Sequence, residues 1–265
     1  SFFLGNIFVV IFAKNTNNNF IIPVLIASII PVINFLLVFF YLPETKPNSQ
    51  FNKSKSILKN PLKNLFTVFK EEKIRKLSLA FFIYFIAFTG LTNILIFFLQ
   101  ESLNWTTKAS SGTLVVVGVI AIIVQGGLIG PLVKQFGEMR LTLIGSGFIL
   151  IACALLITTP KANATINIYS AVSFLAIGAG LITPTLRALI SKKLDVNNQG
   201  SILSNLQGLQ SLGGVLGIAL AGKVYDDFGP KAPFIAGSLI LIFMIYLIAE
   251  GKSNNSIYDQ ESKLS

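Results

Sequence analysis

The sequence predicts an all-α membrane protein, and two observations support this fold class. Seven apolar segments of about twenty residues follow one another along the chain, at 20–41, 77–99, 112–133, 141–158, 166–190, 201–224 and 232–249. A helix that rises about 1.5 Å per residue needs about twenty apolar residues to cross a hydrocarbon core of about 30 Å. The composition agrees, because 53% of the residues are hydrophobic and 12% are charged. Helices of soluble proteins normally keep a polar face, which these segments lack.

Lysine and arginine are unevenly divided between the two sets of alternating loops. One set contains sixteen of them and the other contains five; the richer set consists of residues 42–76, 134–140, 187–200 and 250–265. Cytoplasmic loops are enriched in Lys and Arg, so the richer set is expected inside the cell. The net charge of +10 then faces anionic lipid headgroups, and no nucleic-acid partner is expected. We expect a multi-pass protein of the plasma (inner) membrane, with the lipid bilayer as its partner.

The first apolar run, residues 2–13, is too short to span a membrane. A signal-peptide remnant and a chain that starts within an earlier helix are the two interpretations. The absence of a basic n-region favours the second. On that interpretation the chain has four parts: residues 1–41 are the end of an N-terminal bundle (part of helix five, then helix six), 42–76 a central cytoplasmic loop, 77–249 a C-terminal six-helix bundle, and 250–265 a polar cytoplasmic tail.

The central loop carries an amphipathic pattern. Its apolar residues recur at helical spacing and are Leu58, Leu62, Leu65, Phe66 and Phe69, with basic residues between them. This pattern is typical of a short basic helix on the membrane surface, and a solvated linker is the alternative. The tail after Glu250 is polar and is expected to be disordered.

The chemistry that the chain lacks narrows its function. It has no His and one Cys, Cys153, so it contains no His-based metal site, no Ser–His triad and no internal disulfide. We expect no catalytic residue, no metal and no cofactor, and therefore no enzyme. All eleven acidic residues fall in loops or at helix ends. A carboxylate at bilayer depth usually marks an ion-coupling site, so any titrating acid is expected upstream of Ser1.

A glycine-rich loop follows the third apolar segment. It reads Gly126-Gly127-Leu128-Ile129-Gly130-Pro131, then Gly137-Glu138-Met139-Arg140. This stretch resembles the loop between helices eight and nine of the major facilitator superfamily, a weakened copy of the signature between helices two and three. Lys134 stands where the strong form has Asp, and Glu138 stands where it has a basic residue. The acid-to-base latch of the strong form therefore does not carry over to this loop.

Further motifs occur in the order that the same superfamily shows. They are Leu42-Pro43-Glu44-Thr45, Gly178-Ala179-Gly180 with Pro184, Asn198-Gln199-Gly200, Leu212-Gly213-Gly214-Val215-Leu216-Gly217 and Asp226-Asp227-Phe228-Gly229-Pro230. The sequence resembles most the drug:proton antiporter branch, which includes tetracycline exporters. This resemblance implies a major-facilitator-type helical bundle: its C-terminal six-helix half and the end of its N-terminal half. It also implies alternating access, a small-molecule substrate, a proton or other coupling ion, and efflux of amphipathic compounds by a monomeric multidrug-type antiporter.

Residues that could serve the conformational change are mostly glycines. They are Gly130, Gly137, Arg140, Gly178, Gly180, Pro184, Arg187, Gly200, Gly213 and Gly217. The four-residue spacing of Gly213 and Gly217 lets their helix approach a neighbour closely. Gly178, Gly180 and Pro184 soften a helix, which suits a bundle that rocks. Static tight packing explains the same glycines and stays an alternative.

Polar residues within the apolar segments mark a candidate substrate pathway. They are Thr89, Thr92 and Asn93 with the deeper Tyr84 and Phe88, then Gln125, Asn205, Gln207 and Gln210. The resemblance implies that helices seven, eight, ten and eleven border the central cavity. Hydrogen bonding between helices is the alternative role for each residue. Arg187 has three candidate roles: gating, pairing with an acid of the upstream half, or extending to the lipid headgroups.

A second function class fits the same fold. A non-transporting membrane scaffold, sensor or assembly factor would tolerate the departures at Lys134 and Glu138. An embedded carboxylate and an intact loop signature upstream would favour transport instead.

Overall fold

The computed structural model describes residues 29, 31–37, 39–40, 66–160, 164–194 and 199–264, with the backbone alone at 67, 199 and 251–264. Residues 29, 31–37 and 39–40 are helical. From Phe66 onward the elements are a short 3-10 helix (Phe66–Phe69), α1 (Glu72–Leu103), α2 (Thr107–Ile123), a π-helical segment (Val124–Leu128), α3 (Ile129–Phe136), α4 (Glu138–Thr158), α5 (Ala164–Lys192), α6 (Gln199–Phe228) and α7 (Ala232–Leu264). No strand occurs in these ranges.

Five helices in the described ranges are long and apolar enough to cross a membrane. They are α1, the continuous rod Thr107–Phe136, α4, α5 and Ala232–Glu250 of α7. The prediction of an all-α membrane fold is therefore confirmed. The predicted segment 201–224 forms helix α6, but α6 is not among these five because amides and glycines dilute its apolar residues. The predicted segment 20–41 lies largely outside the described residues.

Helix boundaries differ from those expected, for local reasons. Helix α1 begins at Glu72, five residues before the predicted start at Leu77, and ends before Asn104, which has a φ of 53°. The hydroxyl of Thr106 accepts a hydrogen bond from the Ala109 N–H at 3.3 Å and caps α2. Helix α7 continues to Leu264, where the sequence predicted a disordered tail. Extending an existing helix is cheaper than nucleating a new one, and α7 has no proline after its first turn.

Helix α1 lies at the centre of the bundle formed by α1–α7. It packs along α6 and α7, while α4 packs along α5 and α5 also contacts α2. Large side chains of α1 fill the core: Phe81 and Phe98 are fully or almost fully buried, and Phe98 meets Phe234 of α7 edge to face at 5.2 Å. Burying a side chain of this size contributes about 1.5–3 kcal/mol.

Two helix crossings depend on glycine. Where α6 crosses α1, a Cβ atom on Gly217 would collide with the carbonyl oxygen of Ile86. Where α4 crosses α5, a Cβ atom on Gly178 would lie 2.6 Å from the carbonyl oxygen of Gly145. The predicted close approach of the helix that carries Gly213 and Gly217 is therefore present, since a Cβ atom on Gly213 would lie 3.1 Å from the Phe82 carbonyl oxygen.

The end of the central loop packs onto the bundle. Val68 is buried, and the Phe69 ring meets the Phe82 ring of α1 edge to face at 6.5 Å. Phe66 is half exposed. The other members of the predicted amphipathic helix, Leu58, Leu62 and Leu65, lie outside the described residues. In the described part, this loop end is thus held by core contacts with α1.

Candidate substrate-pathway site

One face of α5 lies next to predicted pathway residues from three other helical segments. These residues are Gln125, Tyr84, Gln207 and Gln210. Gly180, Thr183 and Arg187 follow one another at spacings of three and four residues, which places them on the same face of the helix. Gly180 lies against the rod Thr107–Phe136, Thr183 lies against α1, and Arg187 lies against α6. This face of α5 is the centre of the candidate site.

Near the C-terminal end of this face, Arg187 joins α5 to α6. One guanidinium nitrogen, Nη2, donates to the amide oxygen of Gln207 at 2.7 Å and to that of Gln210 at 2.5 Å. The guanidinium carbon lies 5.9 Å from the centre of the Phe81 ring on α1. Such a cation–π contact adds about 0.5–1 kcal/mol at partly exposed sites. Arg187 is therefore engaged by protein groups rather than extended along a lipid-facing surface.

One turn deeper, Tyr84 joins α5 to α1. Its hydroxyl lies 3.3 Å from the hydroxyl of Thr183, and either group can be the donor. Tyr84 is fully buried, and its ring stacks on that of Phe88 at 5.5 Å. In this arrangement Tyr84 bonds two helices of the bundle to each other. Phe88 is half-buried and keeps one part of its ring open.

Thr92 and Asn93, in the C-terminal half of α1, form hydrogen bonds within their own helix. The Thr92 hydroxyl donates to the carbonyl oxygen of Phe88 at 2.9 Å, and the Asn93 amide donates to that of Thr89 at 2.9 Å. Asn93 remains exposed. Thr89 faces α6, since a Cβ atom on Gly214 would lie 3.7 Å from its side chain.

Gln125 lies in the π-helical segment, next to α5. A Cβ atom on Gly180 would lie 3.9 Å from the Gln125 Cγ, and the Gln125 side chain is exposed. On α6, Gln207 is exposed, while Asn205 and Gln210 are half-buried. π-Helical turns recur at functional sites because they change which side chains face a cavity.

The predicted conformational residues fall into two groups: those at which the helical backbone is interrupted, and those that have open space around them or are exposed. Pro184 lies inside α5, where it leaves the carbonyl of Gly180 without its helical N–H partner. Gly137 separates α3 from α4 with a φ of 75°, which a residue with a Cβ atom rarely adopts. Gly130 and Gly200 have open space around them, and Arg140 is exposed.

Three features of the structure were not predicted from the sequence. The first is a cavity of about 410 Å³ between the α2–α3 rod and α4–α5, lined by apolar residues that include Ile123, Leu128 and Phe148. None of the predicted pathway residues lines it. The second is a buried hydrogen bond of 2.8 Å between the hydroxyls of Thr142 and Thr185.

The third feature is an ion pair between Glu138 at the start of α4 and Lys192 at the end of α5. A second ion pair, Lys76–Glu250 at 2.6 Å, joins α1 to α7. These contacts bridge 54 and 174 residues of sequence, so no local pattern could have revealed them. Within the described ranges, no three His, Cys, Asp or Glu side chains are grouped so that they could bind a metal ion.

A family model matches most of the chain. The model described as Major Facilitator Superfamily covers residues 1–218. Among curated proteins, the class H tetracycline resistance protein of Pasteurella multocida is 26% identical over 204 residues, covering 77% of this chain and 50% of that protein. The class D tetracycline resistance protein of Salmonella ordonez is 28% identical over 214 residues, covering 78% and 50%. The chain spans about half the length of these relatives.

A solved structure shows the same fold. The human organic anion transporter MFSD10 (TETRAN) superposes with a TM-score of 0.69 at 20% identity, covering 83% of this chain and 55% of that chain. The matched family and this structure are those of transporters, not of enzymes.

Proposed function

The chain belongs to the major facilitator superfamily, and from this premise we propose that the whole protein exports small amphipathic compounds in exchange for protons. It would do so by alternating access, with two six-helix bundles rocking about a site near the bilayer midplane. The tetracycline resistance proteins support the export of small compounds. The solved neighbour, an organic anion transporter by its title, supports a small organic substrate.

The face of α5 described above is the observation that carries this proposal. Gly180, Thr183 and Arg187 place polar groups of α2, α1 and α6 around one helix. In the described part of the chain, each exposed amide keeps polar atoms beyond those bonded to Thr89 and Arg187, and a polar group that leaves water without a hydrogen-bond partner costs about 2–7 kcal/mol. We therefore propose that Asn93, Gln125 and Gln207 face a water-filled cavity between this bundle and the other half.

The conformational role of the close-packed glycines follows from the same proposal. Gly217 lets α6 lie against α1, and Pro184 interrupts the hydrogen bonding of α5. Two helices that border the cavity can then adjust while α4 and α7 stay packed behind them. The charge distribution of the loops supports a plasma-membrane protein with loop 42–76 and the C-terminus in the cytoplasm. A monomer suffices for this mechanism, and the proton-titrating acid is proposed to lie upstream.

A flux measurement tests the function. The full-length protein is reconstituted into vesicles with an imposed pH gradient, and labelled amphipathic compounds are added one at a time. We expect substrate-dependent proton flux for at least one of them and none in vesicles without protein. Correctly inserted protein that moves no compound, and no protons, would favour the scaffold function instead.

The matched variants for this measurement are Gln207→Leu and Leu239→Gln. The first removes an amide from the proposed cavity, and we expect it to lower the flux at least about tenfold, as loss of a polar contact of about 1.4 kcal/mol would. The second changes an exposed residue of α7, away from the face of α5. We expect it to leave the flux of the inserted protein unchanged.

A further inference from the structure

The charge of Arg187 has no counterion among the described residues. Its two hydrogen-bond partners are amide oxygens of Gln207 and Gln210, which are neutral. The two described ion pairs use other cations, Lys76 and Lys192. A guanidinium that is held between helices and partly removed from water is costly without a compensating anion.

The Arg187 guanidinium is held in place by its hydrogen bonds, and some of its N–H donors have no acceptor among the described residues. Arginine carries five N–H groups, and the two on Nη2 are taken by the two amides. The three on Nε and Nη1 have no acceptor in the described part of the chain. The Phe81 ring, whose centre lies 5.9 Å from the guanidinium carbon, and the two glutamines together limit the positions that the group can take. The remaining donors therefore form a preorganised edge, which favours binding because less side-chain freedom is lost.

A row of aromatic side chains runs along α1 from this edge. Phe81, Tyr84 and Phe88 share one face of α1, because they are three and four residues apart. The helix rises about 10 Å between the first and the last of them. Phe88 is the partly exposed member of this row, since Phe81 and Tyr84 are fully buried. A cation at one end and an aromatic edge at the other suit a molecule with an anionic head and an apolar body.

We propose that Arg187, held by Gln207 and Gln210 over Phe81, binds the anionic group of the transported compound, whose apolar body lies towards Phe88. The substrate class is thus amphipathic anions that carry a carboxylate or sulfonate. This inference rests on the proposed transport function, since it names the cargo of the same site. Its test nevertheless measures binding and flux separately.

The binding test uses three probes with one apolar body and different charge: naphthoate, naphthamide and naphthylmethylammonium. Each is titrated against the full-length protein in vesicles without a gradient. We expect naphthoate to bind at least about tenfold more tightly than the other two, because a hydrogen bond between two charged groups is stronger than one to a neutral group. Equal affinity for all three probes would overturn the proposal, because it would mean that an upstream acid already neutralises Arg187.

Two substitutions at Arg187 separate binding from structure. Arg187→Gln should remove the preference for naphthoate while the affinity for naphthamide stays within about twofold, and Arg187→Lys should retain part of the preference. Arg75→Gln, which removes an exposed arginine at the start of α1, is the matched control and should change neither affinity. Equal losses of naphthoate and naphthamide affinity in Arg187→Gln would show a structural role and overturn the proposal.

The flux arm distinguishes this proposal from the transport function. If naphthoate binds through Arg187 but drives no proton flux, the result contradicts the proposed export and leaves the anion site supported. Proton-coupled flux of naphthylmethylammonium with no competition by naphthoate would contradict the anion site, while export stands.

Discussion

Glu138, the first residue of α4, forms an ion pair with Lys192, the last residue of α5. The sequence indicated that the acid-to-base latch of the related loop does not carry over here. The structure instead gives Glu138 a basic partner on a neighbouring helix of the same bundle. Hydrogen bonding between Glu138 and Lys192 holds the start of α4 to the end of α5. An ion pair within one bundle stabilises that bundle and does not resist its motion against another.

The first prediction concerns this ion pair. The Lys192 side chain is 66% exposed. We therefore expect a double-mutant cycle of Glu138→Gln and Lys192→Gln, measured by thermal unfolding, to give a coupling free energy below about 1 kcal/mol. The coupling should disappear in high salt. Flux per inserted molecule should stay within about twofold of the original protein. A tenfold loss of flux in both single variants, restored by exchanging the two charges, would instead identify a gating contact.

The second prediction concerns the crossing of α1 and α6. Gly217→Ala forces a methyl group against the Ile86 carbonyl, so the helices must separate. We expect a loss of about 1–3 kcal/mol in stability, measured as a lower unfolding temperature of the purified protein. Gly222→Ala, on the same helix with open space around it, is the control and should not lower stability, because alanine favours the helix by about 0.5–1 kcal/mol over glycine. Equal effects of the two substitutions would contradict the close packing.

The third prediction concerns the hydroxyl pair of Tyr84 and Thr183. Tyr84→Phe and Thr183→Val should each lower stability by about 0.5–1.5 kcal/mol, and the double variant should lose less than the sum. Binding of the naphthalene probes should not change, since Tyr84 is fully buried. Tyr246→Phe, at an exposed position of α7, is the matched control. A change of probe affinity at constant stability would return Tyr84 to the substrate pathway.

The fourth prediction concerns which polar residues face water. Single cysteines at Asn93, Gln125 and Gln207, in a background with Cys153→Ala and no other cysteine, should react with a charged thiol reagent. Thiolates form in water and not in lipid, so a cysteine at the exposed Leu239 of α7 should not react. Protection of the cysteine at Gln125 by naphthoate would be the result expected of a shared cavity, since a cysteine at Gln207 removes a hydrogen-bond partner of Arg187. Unreactive Gln125 and Gln207 positions would place those amides in contact with protein or lipid.

The fifth prediction concerns orientation and rests on the charge of the loops. A cysteine at Lys53 should be labelled only from the cytoplasmic side, and one at Lys108 only from the opposite side. Lys108 lies in the first turn of α2, and Lys53 lies outside the described residues. Labelling of both from one side would exclude an odd number of crossings between them and with it the proposed topology.

Part of the site was visible in the sequence, and part was not. The spacing of Gly213 and Gly217 predicted a close helix approach, which their contacts with Phe82 and Ile86 confirm. Tyr84 and Gln207 were chosen as polar residues at membrane depth. Their environments differ, since Tyr84 is bonded inside the bundle and Gln207 is exposed. Composition alone could not separate the two roles, because both residues present a polar group on an apolar helix.

The sequence by itself determined that this protein lies in a lipid bilayer, that its segments are helical, and to which family it belongs. Runs of about twenty apolar residues are a local property, and a lipid environment requires that the backbone of each run satisfies its own hydrogen bonds as a helix. Only the tertiary structure decided that Arg187 turns towards Gln207 and Gln210, that Glu138 meets Lys192, and that α5 presents one face to three helices. Those contacts depend on the rotation and crossing of whole helices. Many small packing terms along their length set that geometry, and no short stretch of sequence contains it.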